Sequence, residues 1–493
     1  MRRFLFLCSI LILCSLGLSQ TPTLVQHVSC PNSRNSGNAQ SSTPDYLCPL
    51  PEPSQTGNAL LVGVMSYNSA AFTVSDDKAN MWTLVDSVVD GNYNVYVGIY
   101  IATNVAAGTR FIKLHRSAGT DNVAMSASEY YNIALSSAVD AHHCNAGSSS
   151  SSITAGSITP SSSGDLLWQW AVNGVEGGGL PSATSSFTAG SQLNITWQFN
   201  GTDLFDGDAV QVGVYSSTGA INPTFTSGTK LAFDSCVMAL KAANAGNAPT
   251  SSFRIVHMLH QQIPDSAANP LPIQFASSGN LIVLSSLIGG DTITGISSSP
   301  SNTWSSAGTP GIGGDNVSQI YFAGQASTSN SLTLGVTRSA NDANGTFMMY
   351  DFTGAASSPL DVSSGGQSGF QSSVSSTLTT CSGCLTPTTA NDVIIANFGQ
   401  DWCTATGVNT PSGARFDSAT DTGNSNSGPQ SVDQNNGWMH YYDSGTGPIT
   451  LTWKDSCQST PEGNWGADMA AFKGATQSQP QPPTALKAVV VQQ

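Results

Sequence analysis

Charge is the scarcest property of this chain. Only 9% of its 493 residues are Asp, Glu, Lys or Arg, and just 15 are basic. With a formal net charge of −15 and no basic run, the chain is a poor binder of nucleic acid or of an anionic membrane. Glu, Lys and Arg are also strong helix formers. Their shortage, beside 49 glycines and abundant Ser and Thr, argues for strands and turns. Past residue 19 no stretch approaches the ~18 consecutive apolar residues that a membrane-spanning helix needs. The signatures of common enzymes are missing too: no GxSxG elbow, no HExxH, no phosphate loop ending in GK[ST] and no GxGxxG.

The one long apolar run lies at the start. Arg2 and Arg3 precede an apolar stretch from Phe4 to Leu16, and Gly17-Leu18-Ser19 supplies a small-x-small cleavage site. Residues 1–19 therefore read as a secretory signal peptide, and Leu13 before Cys14 is too bulky for a lipoprotein site. The expected location is extracellular or at the cell surface.

What the chain does have, it has twice. Gly57-Asn58-Ala59-Leu60-Leu61-Val62 returns as Gly279-Asn280-Leu281-Ile282-Val283-Leu284, and Asn80-Met81-Trp82-Thr83 as Asn302-Thr303-Trp304-Ser305. Glu129-Tyr130 returns as Asp351-Phe352 at the same spacing. Short alternating runs such as 94–101, 110–115 and 165–172 recur as 316–322, 331–337 and 392–398, separated by turn residues. Two tandem antiparallel β-sandwiches of similar, jelly-roll-like topology are expected, at residues 23–243 and 251–475. His27 matches His257 with a spacing that implies extra residues in the first copy, around Cys30 and Cys48. Residues 476–493 form a Pro/Gln-rich linker and a strand-like tail. The tail reads as a frayed end or, alternatively, as a strand that pairs with the sheet edge of another chain.

Eight cysteines follow the signal segment, an even number in an exported chain. Cys144 and Cys236 have no counterparts in the second copy and are expected to pair. Cys30 and Cys48 would staple the insertion, and Cys381 and Cys384 would close a tight loop. Cys403 and Cys457 follow strands whose ends could be neighbours. A redox reading of the CxxC would need a helix N-terminus, which nothing here suggests.

Candidate chemistry is thin. Glu129 with Asp140, and Asp351 with Asp361, form a pair of acids in each copy, the kind of arrangement glycoside hydrolysis uses. Because both copies carry them, capping of turns is the better expectation. His142-His143 is private to the first copy, but neighbours on a strand face opposite ways. Asp203, Asp206 and Asp208 crowd a Gly-containing loop of the type calcium prefers, and no other cofactor is expected. Trp82, Trp304, Trp168 and Trp170 are expected in the core. Trp402 and Trp438 lie near variable loops and are the candidate ligand-binding residues, since exposed tryptophans stack on sugar rings.

The recurring pattern of GN-L-V, N-x-W/Y-T, and then [ED]-[YF]-x-G followed by P-L-D resembles that of uncharacterised exported bacterial proteins with jelly-roll or lectin-like sandwiches. Here it reads Asp351-Phe352-Thr353-Gly354 and Pro359-Leu360-Asp361, while the first copy departs with Asn132 and Ala138. The resemblance implies a fold and no particular activity. The sequence thus points to a non-catalytic protein of adhesion or polysaccharide binding. A carbohydrate-active enzyme using the paired carboxylates and a purely structural matrix component are the alternatives.

Overall fold

The computed structural model describes residues 20–30, 45–67, 72–90, 94–116, 123–173, 187–188, 190, 193–200, 207–263, 269–314, 316–340, 345–371, 375–400, 403–417, 436–457 and 463–475. All regular structure among them is β-strand, and among the described residues no helix is long and apolar enough to cross a membrane. The alternation read from the sequence falls on strands: 94–101 lies on Val95–Ala102, 165–172 on Asp165–Asn173 and 392–398 on Asp392–Gln400.

The two repeats are not side-by-side sandwiches, however. Their first strands, Thr23–Ser29 and Arg254–Ile263, pair in parallel and fuse both halves into one eleven-stranded central sheet. From one edge the first repeat contributes Thr83–Asp90, Val95–Ala102, Ala59–Tyr67, Val123–Tyr131 and Thr23–Ser29. The second repeat mirrors this order outward with Arg254–Ile263, Gly345–Thr353, Leu281–Gly289, Asn316–Gly324 and the short edge pieces Ser305–Ser306 and Gly311–Gly313.

Because the fused strands run parallel, the repeats are related by a half-turn along the strand direction, and equivalent residues face opposite sides. Leu61 belongs to the core on one face, whereas its counterpart Val283 belongs to the core on the other. The half-turn also revises the equivalence of the two histidines. Gln26 sits opposite Glu129, while His257 sits opposite Asp351, so the ladder makes Gln26 the partner position of His257. Each first strand carries a bulge just before this position, at Leu24/Gln26 and at Ile255/His257.

Each face carries its own covering layer. One face is covered by a nine-stranded sheet that mixes repeats. Its first-repeat strands, among them Asp165–Asn173, Gly207–Tyr215 and Thr224–Leu240, continue through Asn194–Asn200 into Leu271–Ser277, Ser329–Arg338 and Ile293–Ser299 of the second. The other face meets a six-stranded sheet containing Asp392–Gln400, Asn436–Asp443 and Gly463–Gly474, and a three-stranded sheet of Asp45–Pro49, Phe111–Arg116 and Phe72–Asp76. A further three-stranded layer, Thr377–Leu385, Ile449–Cys457 and Cys403–Thr410, packs Trp453 and Leu451 against Phe398 and Ile394 of the six-stranded sheet.

Three disulfides join the pairs expected, Cys30–Cys48, Cys144–Cys236 and Cys381–Cys384. The register sets Cys403 directly opposite Cys457. Cys381 and Cys384 lie on a strand rather than at a helix N-terminus.

Candidate functional site at the loop end of the repeats

The shared motifs are scaffold. The Glu129 carboxylate accepts hydrogen bonds from the Gln55 amide (2.8 Å), Asn58 (2.7 Å) and Gln26 (2.5 Å), and it is fully buried. Asp351 does the same in the second repeat, accepting from the Ser278 amide (2.8 Å) and the Gly279 amide (3.1 Å). Both carboxylates thus satisfy backbone N–H groups of the turn that launches the next strand. Burial raises both pKa values, that of Asp351 to about 7. The Asn-x-Trp motif is a second hook. Asn80 Oδ1 accepts from Ala106 N and Asn302 Oδ1 from Ser327 N, while Trp82 Nε1 donates to Asp76 and Trp304 Nε1 faces Ser298. Trp82 and Trp304 are only half-buried, as caps over the sheet edges rather than core residues.

The other acid of each supposed pair sits in a different setting. Asp140 accepts from the hydroxyl (2.7 Å) and amide of Ser161 and lies 3.6 Å from Lys241. Asp361 repeats this with Thr388 and Lys473 (3.5 Å). Each has a buried second acid beside it, Asp165 or Asp392, pushed up to about 6 by burial and then by the neighbouring carboxylate. Among the described residues Glu129 and Asp140 share no hydrogen-bonding partner, and neither do Asp351 and Asp361. The acid pairs of the sequence therefore separate into two kinds of duplicated turn cap.

The histidines separate as well. His142 Nδ1 meets Asp86 at 2.9 Å and His143 Nδ1 meets the Ala155 carbonyl at 2.5 Å, so the adjacent rings serve different partners. His27 and His257 are buried, with ring centroids 5.8 Å apart, and burial holds His27 well below the ordinary histidine range and His257 near 3. His440, fully buried, meets Asp417 at 2.8 Å, and Asp417 also accepts from the Tyr350 hydroxyl at 2.8 Å.

A charged seam holds the halves together where no strand pairing does. Arg415 donates to the Leu50 carbonyl (2.6 Å), Arg254 donates to the Val25 carbonyl, and Glu52 accepts from Tyr442 and from the Ile255 amide (3.1 Å). Leu50 and Glu52, just after the Cys30–Cys48 disulfide, and Val25 on the first strand are thereby tied to the second repeat.

Of the tryptophans proposed for binding, Trp402 lies outside the described residues. Trp438 does not fit the role. It is 1% exposed, inside the core between the central and six-stranded sheets, with its ring edge-on to His260 at 5.5 Å. Its place on Asn436–Asp443, a strand covered on both faces, accounts for this. Trp168 and Trp170 are fully buried, as expected. Asp203 and Asp206 fall outside the described residues, and Asp208 is the second residue of the strand Gly207–Tyr215.

What remains exposed and distinctive is one end of the molecule. Because the half-turn runs along the strands, the equivalent ends of both repeats point the same way. In the second repeat, Gln367–Gln371 is an edge strand on Gly463–Gly474, with Phe370 opposite Asn464 and Gly369 opposite Trp465. Phe370 is 56% exposed and Ile312, on the adjoining piece Gly311–Gly313, is 54% exposed. The half-buried Trp465 indole lies across Gly369, where an added Cβ would come within 2.6 Å of Cζ2. Gln400, two residues before Trp402, is opposite Trp465 and donates to Gln371 at 2.5 Å. No signal in the sequence singled out Phe370, because its exposure comes from being on an edge strand that the sequence does not reveal.

The corresponding place in the first repeat is acidic. The register makes Asp90 the counterpart of Gly313 and Asp234 the counterpart of Gly466. Asp234 is fully buried, and burial, then the charge of Asp90, pushes it up to about 8. Among the described residues no group of three or more His, Cys, Asp or Glu side chains is placed to hold a metal. No protein-family model matches the chain, and neither a curated protein nor a solved structure matches it.

Proposed function

We propose that the protein is an exported, non-catalytic binder of polysaccharide that acts in adhesion, with its binding surface on the second repeat's edge strand Gln367–Gln371. The observation that carries this reading is Phe370, an aromatic ring left more than half exposed on an edge strand opposite the exposed Asn464. An exposed ring with an amide side chain opposite it is the chemistry that stacks on and hydrogen-bonds to sugar rings. Three disulfides support an oxidising compartment. The employment of Glu129, Asp140, Asp351 and Asp361 in turn capping favours binding over hydrolysis.

The test is a glycan array with pull-down on insoluble polysaccharides, for the wild type and Phe370→Ala. Retention of the wild type with at least about tenfold weaker retention of Phe370→Ala supports the reading, since stacked aromatic anchors dominate such sites. Equal retention of the two, or no retention of either, overturns it. Release of reducing sugar by the wild type but not by Asp140→Asn or Asp361→Asn would instead make the protein a hydrolase.

A further inference from the structure

The acidic end of the first repeat is built differently from anything else in the molecule. Asp90 closes the edge strand Thr83–Asp90 and Asp234 lies on Thr224–Leu240. Both belong to rows that face the gap between the central and nine-stranded sheets. Asp90 follows Val88 on its face, and Asp234 precedes Cys236 and Met238 of that core on its own. Asp90 is 4% exposed and Asp234 not at all. Neither carboxylate oxygen of Asp234 has a hydrogen-bond partner. The one charge that acts on it is the like charge of Asp90.

A buried carboxylate with neither hydrogen bond nor cation is costly, and proteins retain one where something else neutralises it. The second repeat shows what this end looks like without the acids. There Gly311 and Gly313 press against backbone, so that an added Cβ would fall 2.2 Å from the Ala467 carbonyl oxygen and 2.0 Å from that of Trp465. The equivalent sheets close on each other through bare glycine. In the first repeat two carboxyls stand in that place.

We propose that Asp90 and Asp234 hold a divalent, oxygen-preferring cation of the calcium class between the two sheets. Two carboxylates balance its charge, and both donors are hard oxygens with no His or Cys in the pair, which favours calcium over zinc or copper. Backbone carbonyls and water would complete the shell. The site lies on the first repeat, in the place equivalent to the sugar-binding edge of the second, and does not depend on the sugar-binding reading. Two strands away, Asp208 of Gly207–Tyr215 is opposite Val172, which is itself opposite Asp234.

The experiment uses the full mature chain, stripped with EDTA and dialysed. Calcium chloride, with magnesium chloride as comparison, is titrated by calorimetry while the melting temperature is followed. The expected result is one calcium per chain that raises the melting temperature. Asp234→Asn and, separately, Asp90→Asn weaken the Kd by about tenfold or more and abolish the rise. Asp86→Asn, on the same strand and partly exposed, leaves both unchanged. Circular dichroism of the metal-free variants confirms that they fold, and two independent variants guard against one that does not. No binding at millimolar calcium, or equal binding by wild type, Asp90→Asn and Asp234→Asn, overturns the proposal.

Discussion

The two repeats share a skeleton but fill it by different chemistry. In the first, Gly63 leaves room for an indole, so that an added Cβ would meet Trp170 at 2.7 Å. In the second, the equivalent positions are Ser285 and Asn397, and Asn397 Nδ2 donates to the Ser285 hydroxyl at 2.7 Å. Where the first repeat has the Cys144–Cys236 disulfide, the second has buried Asp468, whose backbone amide donates to Asn397 Oδ1 at 3.2 Å. Ser318 completes this polar knot. One sandwich is thus held by an aromatic–glycine contact and a covalent bond, the other by a satisfied hydrogen-bond network. The hooks common to both, Glu129 and Asp351 with their turns, are what a fold requires. What differs is where each half is free to specialise.

The largest effect that would test this contrast is in the apolar half. Trp170→Ala should cost about 3–5 kcal/mol, because a full indole is lost over a glycine that cannot fill the gap. Asn397→Ala should cost about 1–3 kcal/mol, since it leaves Ser285 and Ser318 unpaired in the interior. Urea unfolding of both variants measures the pair, and a larger loss for Asn397→Ala would reverse the assignment of the two cores. Removing Cys144 and Cys236 together should cost about 2–5 kcal/mol, while removing Cys381 and Cys384 should cost less. The first bond closes a sequence separation of 92 and the second only 3. Equal losses in differential scanning calorimetry would show that loop closure does not govern them.

The repeat made much of this legible before any coordinates. Turn motifs, strand positions and disulfide pairs follow from local spacing, and spacing is what a duplicated sequence exposes. The half-turn was not legible, because it depends on one parallel pairing between strands far apart in the chain, Thr23–Ser29 and Arg254–Ile263. From that pairing follow the shared central sheet, the inverted faces and the one-residue shift that separates His27 from His257. Trp438 was misplaced for a related reason. Its neighbours in sequence look like loop, yet it lies on a strand with a layer on either side. Phe370 escaped notice because edge and centre strands read alike.

Acidity offers a test of intermediate size. Burial raises Asp351 and Asp468 to about 7, from an ordinary value of 3.8. A carboxyl whose folded pKa lies above its unfolded one contributes its full share below the unfolded value, and loses it as pH rises through the folded one. These two carboxyls should therefore contribute more stability at pH 4 than at pH 8, with the loss spread between about 4 and 7. His27, His257 and His260, each held by burial below the ordinary histidine value, act in the opposite sense as pH falls below about 6.5. Asp468→Asn should flatten part of that slope, by on the order of 1 kcal/mol or about 2 °C at pH 8. An Asp468→Asn variant whose melting temperature keeps the wild type's dependence from pH 4 to pH 8 would contradict the burial of this carboxyl as a neutral acid.

The smallest expected effect concerns the feature of the first repeat that looked most like chemistry in the sequence. His142 is 45% exposed at its side chain and meets Asp86, itself partly exposed, at 2.9 Å. An exposed pair of this kind gains little over its solvated alternatives and is screened by salt. His142→Ala should change stability by no more than about 0.5 kcal/mol. His143, whose ring reaches the Ala155 carbonyl across the same strand pair, should matter more when replaced, since His143→Ala leaves that carbonyl without its side-chain donor. Calorimetry of the two single variants decides between them. If His142→Ala proves the more damaging, the outward ring has a role that its hydrogen bond to Asp86 does not explain.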